Sequence, residues 1–237
     1  MSEVFELGEI TISLTRKSVK NVHLTVHPPE GRVTLVAPTS TRTEVARAYA
    51  ISKLGWIRQQ QVLLRDQARE SPRRYVERES HQLWGRRHLL TVVEAEAKPK
   101  VALDHRRITL TVRPRSDSAK RAEVMHSWHR GLLHATVPRM IDQWESKLGV
   151  KVSGYFLQRM KTKWGSCNHV AGNIRLNTEL VKKPKDLVEY VVVHEMLHLL
   201  EPTHNDRFVA LLDRHWPQWR EARKELNTLP LGSETWE

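Results

Sequence analysis

Residues 191–200 read Val-Val-Val-His-Glu-Met-Leu-His-Leu-Leu and contain the pattern His-Glu-x-x-His, from His194 to His198. Four residues on an α-helix turn through about 400°, so both imidazoles leave from nearly the same side and can share one tetrahedral metal. Glu195 follows about a quarter-turn further round, close enough to take a proton from a water beside the metal without being a ligand itself. That is the arrangement of a metal-assisted hydrolase. The remaining residues from Val191 to Leu200 are all apolar, the mark of a buried helix. Burying two imidazoles and a carboxylate without partners costs several kcal/mol or forces them neutral, and a bound zinc removes that penalty.

A catalytic zinc has three protein ligands and an open position. His204 is the first candidate for the third, because it lies six residues beyond His198 and just past Pro202, where a chain leaving the helix can swing back under the metal. Glu201 on the same helix, His215, and Glu221 or Glu225 on a later one compete with it. The spacing of the three histidines is that of the metzincins, but Glu201 stands where their longer motif needs glycine. No methionine follows Met196 either, so a Met-turn is excluded.

The elements that must position these residues are read from periodicity. Alternation in Glu9–Leu14, Val22–Val26 and Val33–Leu35 predicts strands, with His27–Arg32 as a hairpin connection. Thr43–Glu70 switches to helical spacing and is expected to cover that sheet. Two more strands are expected at Leu83–Val93 and Val101–Val112. The polar stretch Arg113–Ser118 is the expected boundary between an N-terminal strand-rich basic region, 1–115, and a catalytic domain, 116–237. A helix follows over 117–148, which Pro138 is expected to kink or break. Strands over Val152–Lys163 and Gly172–Asn177 come next, and Pro184 opens a helix that reaches Leu200 and is closed by Pro202. Phe208–His215 and Trp219–Leu226 read as short helices. No internal repeat is visible in the residues.

Arg159–Asn168, Gly172–Asn177, Tyr190–His198 and Thr203–Phe208 together resemble the YgjP-like metallopeptidases, relatives of the SprT-like and WLM proteases. The motifs are dense over about residues 155–220, and the N-terminal strands and helix fit the family more loosely. The resemblance implies an α+β fold: N-terminal antiparallel strands with a covering helix, then a minimal zincin-like domain around the His-Glu-x-x-His helix. It also implies His194, His198 and His204 as zinc ligands, Glu195 as base, and an enzyme of the gluzincin or SprT-like type. Its relatives' association with removing proteins crosslinked to DNA suggests a DNA-linked role.

Beyond that centre, residues 172–177 are the candidate edge strand for pairing with an extended peptide substrate. Trp164 reads as a core lid or a pocket wall, and Cys167 as a small buried hydrophobe or a group approaching the metal. Lys161 and Lys163 read as a solvated face or as a steering charge, and Trp216, Trp219 and Trp236 as packing in preference to a nucleotide-stacking platform. Tyr190, Asn205 and His215 are the candidates for stabilising an oxyanion, and spacing does not choose among them.

Composition bounds the rest. The 237 residues are enough for a sizeable core, and no apolar run is long enough to span a bilayer. One cysteine excludes an intramolecular disulfide framework and a Cys₄ zinc site. Met1–Ile10 has neither the basic start nor the apolar core of a targeting segment, so a cytoplasmic location is expected. The formal charge is +12; residues 1–150 hold 26 basic against 16 acidic side chains (+10), and residues 151–237 hold 13 against 11 (+2). A spread of this kind is expected to give at most non-specific contact with DNA. The leading expectation is a zinc metallopeptidase acting on proteins or peptides. Its competitors are a nucleic-acid-binding module with a structural or weakly active zinc site, and a hydrolase of non-peptide amides or esters.

Overall fold

The computed structural model describes residues 2–27, 31–66, 73–160 and 163–228. The described residues up to 66 form one compact unit, and those from 73 to 228 form another.

The first unit is a sheet of β1 (Ser2–Leu7), β2 (Ile10–Lys17), β3 (His23–His27) and β4 (Arg32–Pro38), in the order β1-β2-β4-β3. The sheet is mixed and not antiparallel throughout: the β3–β4 hairpin folds back so that β4 inserts beside β2 and runs parallel to it. Alternation works as expected, with Ile10, Ile12 and Leu14 of β2 and Val33, Leu35 and Ala37 of β4 all facing inward. Against them pack α1 (Thr43–Ser52) and α2 (Leu54–Asp66) through Ala46, Ala50 and Ile57. The single helix expected over 43–70 is thus interrupted at Lys53, and its residues 67–70 lie outside the described residues.

The second unit opens with β5 (Ser80–Leu83), β6 (Arg86–Glu94), β7 (Lys100–Asp104) and β8 (Arg107–Val112), ordered β5-β6-β8-β7. The parallel β6–β8 pair is flanked by two antiparallel hairpins, as β2–β4 is in the first sheet. A strand-order repeat therefore exists in the topology although the residues do not show it. The expected strand Val101–Val112 becomes two because His105-Arg106 is a tight turn, and the strand expected at Leu83–Val93 is β6, which Trp84-Gly85 joins to an additional strand, β5. Trp84 and Gly85 both have left-handed backbone (φ 49 and 75), the geometry of a two-residue hairpin loop.

Next comes α3 (Ser118–Leu148), capped by Asp117, whose side chain accepts from Lys120 N at 2.8 Å, and ended by left-handed Gly149. It runs unbroken through Pro138, because the buried stripe Leu133, Val137, Ile141, Trp144 holds both halves to one core. Its first half buries Met125 with Leu90, Ile108 and Leu110 of the preceding sheet. Arg113–Ser118, expected as a boundary, consequently lies inside the second unit.

A three-stranded sheet of β9 (Gly154–Gln158), β10 (Gly165–Asn168) and β11 (Asn173–Asn177) follows in the order β10-β11-β9. A 3₁₀ turn over Thr178–Lys182 leads to Pro184 and the buried helix α4 (Lys185–Leu197), then α5 (Asp206–His215) and α6 (Trp219–Thr228). α4 ends at Leu197, short of the expected Leu200, because residues 199–200 tighten into turns, with Leu200 N donating to Leu197 O at 2.9 Å. Among the described residues no helix is long and apolar enough to cross a membrane.

Candidate active site

α4 presents His194 and Glu195, its C-cap is His198, and the turn that follows returns His204. His194 Nε2 lies 3.1 Å from His204 Nε2. One ring nitrogen from each of His194, His198 and His204 lies within 4.8 Å of the others, the one such cluster among the described residues. Phe208, the third residue of α5, packs into all three rings. It stacks on His198 at 4.5 Å and meets His194 and His204 edge-on at 5.0 and 4.8 Å. Asn205 fixes Phe208 in turn, its side chain capping α5 by accepting from Phe208 N at 3.0 Å.

The protonation pattern suits a metal. His198 Nδ1 is 3.0 Å from Glu201 O, and a carbonyl only accepts, so the proton is on Nδ1 and the lone pair on Nε2. Burial first, then the charges of His198, His204 and Arg223, push the His194 imidazole down to about 3, and burial also lowers His198. Both rings are therefore neutral near pH 7. Tetrahedral zinc with imidazole ligands sets neighbouring nitrogens about 3.3 Å apart, close to the His194–His204 separation. Neutral imidazoles converging on one point fit a divalent transition metal.

The competing ligands are turned elsewhere. The Glu201 carboxylate accepts from Thr203 N and Oγ1 at 3.3 and 3.0 Å, and Asn205 Nδ2 donates to Thr203 Oγ1 at 3.2 Å, knitting the turn that carries His204. His215, Glu221 and Glu225 do not line the cleft.

Glu195 is only 6 % exposed, and burial raises its carboxyl to about 8 against an opposing pull from Lys163. It lies under Gly165 of β10. A Cβ at that position would sit 2.5 Å from Glu195 Oε1 and 2.6 Å from its Cγ, so only glycine admits the carboxylate there. The strand beside α4 is thus β10, an edge strand. Residues 172–177, expected at the edge, contain β11, which is central because it pairs with β10 on one side and β9 on the other. Fully buried Asn177 fixes the loop entering β10: its Nδ2 donates to Met160 O and Lys163 O, both at 2.8 Å.

The three histidines open onto a cleft of about 730 Å³, walled by β10 on one side and by α5 and α6 on the other. Trp164 lines it, with Lys183 Nζ 5.1 Å above the ring. Cys167 lines it too, and burial, then Glu195, push its thiol up to about 11, so it remains a neutral thiol. Lys163 is on the rim; Lys161 and Trp236 lie outside the described residues. Trp216 packs against Trp144 and Tyr190, whereas Trp219 lines the cleft and donates to Asp213 Oδ1 at 2.8 Å. Of the three oxyanion candidates only Tyr190 lines the cleft, and burial raises its hydroxyl pKa. Reasoning from residues gave no role to Gly165, Asn177, Phe208 or Arg223, although the first three fall inside the motifs that carry the family resemblance.

None of the curated proteins matches the chain significantly in sequence. Among solved structures, the metallopeptidase zymogen of Pyrococcus abyssi abylysin is 18% identical over 39% of this chain and 92% of that one, at a TM-score of 0.37. The metallopeptidase zymogen of Methanocaldococcus jannaschii jannalysin is 20% identical over 38% and 92%, at 0.34. The family model described as YgjP-like, metallopeptidase domain, matches residues 20–229. That match spans most of the chain, and the protein belongs to the YgjP-like metallopeptidase family.

Proposed function

We propose that the protein is a zinc peptidase in which His194, His198 and His204 hold one zinc ion and Glu195 is the general base, within a catalytic part spanning residues 116–237. The observation that carries this reading is three imidazole nitrogens within 4.8 Å of one another beside a buried carboxyl, at the mouth of a cleft. Zinc, when bound, polarises the scissile carbonyl and acidifies a water. Glu195 takes the proton of that water and delivers it to the leaving amine, the two proton transfers that peptide hydrolysis needs. The free edge of β10 pairs with an extended peptide, which aligns the scissile bond with the histidines without demanding a sequence. Tyr190, a protonated donor in the cleft, hydrogen-bonds the developing oxyanion.

The working compartment is the cytoplasm and the substrate a protein or peptide. DNA-associated proteins are a suitable class for a chain of net charge +12. The same charge favours the second reading, a nucleic-acid-binding module with a structural zinc. A structural site has no need of a base, and the glycine gap kept open for Glu195 argues for the enzyme.

The test is metal content. Purified protein is expected to carry about one zinc per chain, His204→Ala to weaken zinc binding by at least about 100-fold, and Glu201→Ala to leave it intact. A folded protein that takes up no zinc, or the reverse ranking of the two variants, contradicts the assignment.

A further inference from the structure

The two walls of the cleft differ in character. On the β10 side stand Lys163, Trp164, Ser166, Cys167 and His169, a mostly polar set with one indole, while α5 and α6 contribute the apolar Val209, Leu212, Trp219 and Leu226. Residues 219, 223 and 226 recur at helical spacing and so share one face of α6. Trp219 and Leu226 are buried there, whereas Arg223 lies exposed on the cleft rim. Its charge reaches Tyr190 and His194 of α4.

Arg223 has no ion-pair or hydrogen-bond partner among the described residues. The acid closest in sequence on the neighbouring helix, Asp213, is taken by Arg220 at 2.7 Å and by Trp219 at 2.8 Å. Glu195, the one carboxylate that lines the cleft among the described residues, is buried beneath Gly165. A guanidinium beside an apolar wall, with no acid paired to it among the described residues, is complementary to a carboxylate adjoining an apolar group, which its planar fork can bind through two hydrogen bonds. Lysine would supply charge without that fork.

We infer that Arg223 is a specificity-determining residue that selects substrates carrying a carboxylate, from an acidic side chain or a free C-terminus, close to the scissile bond. The inference rests on the peptidase reading above, and its test separates the two. Fluorogenic peptides differing at one position near the cut (Asp, Asn or Lys), each as free acid and C-terminal amide, are compared by kcat/KM. One charge-assisted bidentate contact predicts an acidic-to-neutral ratio of at least about 10 in the parent, carried mainly by KM. Arg223→Ala should bring the ratio close to one, Arg223→Glu should invert it in favour of Lys, and Arg223→Lys should restore part of it. Lys224→Ala, on the same helix but away from the cleft, should leave the ratio alone. Dependence on the Asp position identifies a side-chain carboxylate, and dependence on free acid over amide identifies the C-terminus. The same peptides are titrated against the Glu195→Gln variant by fluorescence anisotropy, which gives the ratio without turnover. If the parent cuts nothing, the peptidase reading fails while binding still judges Arg223. A ratio near one in binding, no binding of any peptide, or a ratio that survives Arg223→Glu overturns the inference.

Discussion

Gly165 shows how much of a site is decided by a missing side chain. The grouping of His194, Glu195 and His198 was legible in the sequence because a helix imposes their spacing, and His204 was the first of several candidates to join them because the chain past Pro202 can swing back; the structure brings the three histidines together. Gly165 lies thirty residues before Glu195, and only the pairing of β10 beside α4 brings them together. Phe208 was equally hidden, since in the sequence it is one more apolar residue of a short helix. Gly165→Ala is expected to displace the Glu195 carboxylate. Zinc binding should persist, peptide hydrolysis should fall by about two orders of magnitude, and stability by about 1–3 kcal/mol from overpacking. Metal analysis, steady-state kinetics and thermal melting of the one variant read all three. Full activity would mean that Glu195 does not need its present position.

At the scale of elements, periodicity found the helices and missed the turns. α3, α4, α5 and α6 all lie where apolar spacing put them. The strand expected at 101–112 proved to be a hairpin, and the one at 83–93 proved to be β6 preceded by a turn and the last residue of β5, because Trp84 and His105 occupy turn positions that give no proline or Asn-Gly signal. β11 was mistaken for an edge because strand order depends on which partner crosses over, and alternation carries no record of that. Pro138 was expected to kink or break α3, and the helix is not broken there. The proline removes one backbone donor, a cost of about 3 kcal/mol in a helix interior, but the buried residues on both sides keep the helix continuous. Pro138→Ala is accordingly expected to stabilise the protein by about 1–3 kcal/mol without altering kcat/KM. A lower melting temperature would show that the proline is required by its surroundings.

Over the whole molecule, the two four-stranded sheets share an order and a sense of pairing that no residue pattern revealed, since each keeps only the alternation its own core requires. The fold also has a built-in acid sensitivity. His129 of α3 is 6 % exposed with its Nε2 unpartnered, and burial, then Lys182, His126 and His81, lower its pKa from 6.5 to about 3. The unfolded chain therefore takes up a proton below about pH 6.5 that the folded chain refuses. His129 costs no stability above pH 6.5, and below it stability falls by about 1.4 kcal/mol per pH unit until the folded pKa is approached. His129→Leu should flatten the denaturation free energy between pH 4 and 6 by about one proton relative to the parent. An unchanged slope would mean that His129 is solvated in the folded state.

The central claim, that Glu195 moves a proton and is not a ligand, is tested most directly by Glu195→Gln, which keeps the shape and removes the base. Zinc content and peptide hydrolysis are measured on the same preparation. The account predicts zinc at the parental level, an unchanged fold, and hydrolysis reduced by at least about two orders of magnitude. Loss of zinc, or hydrolysis near the parental rate, would contradict it.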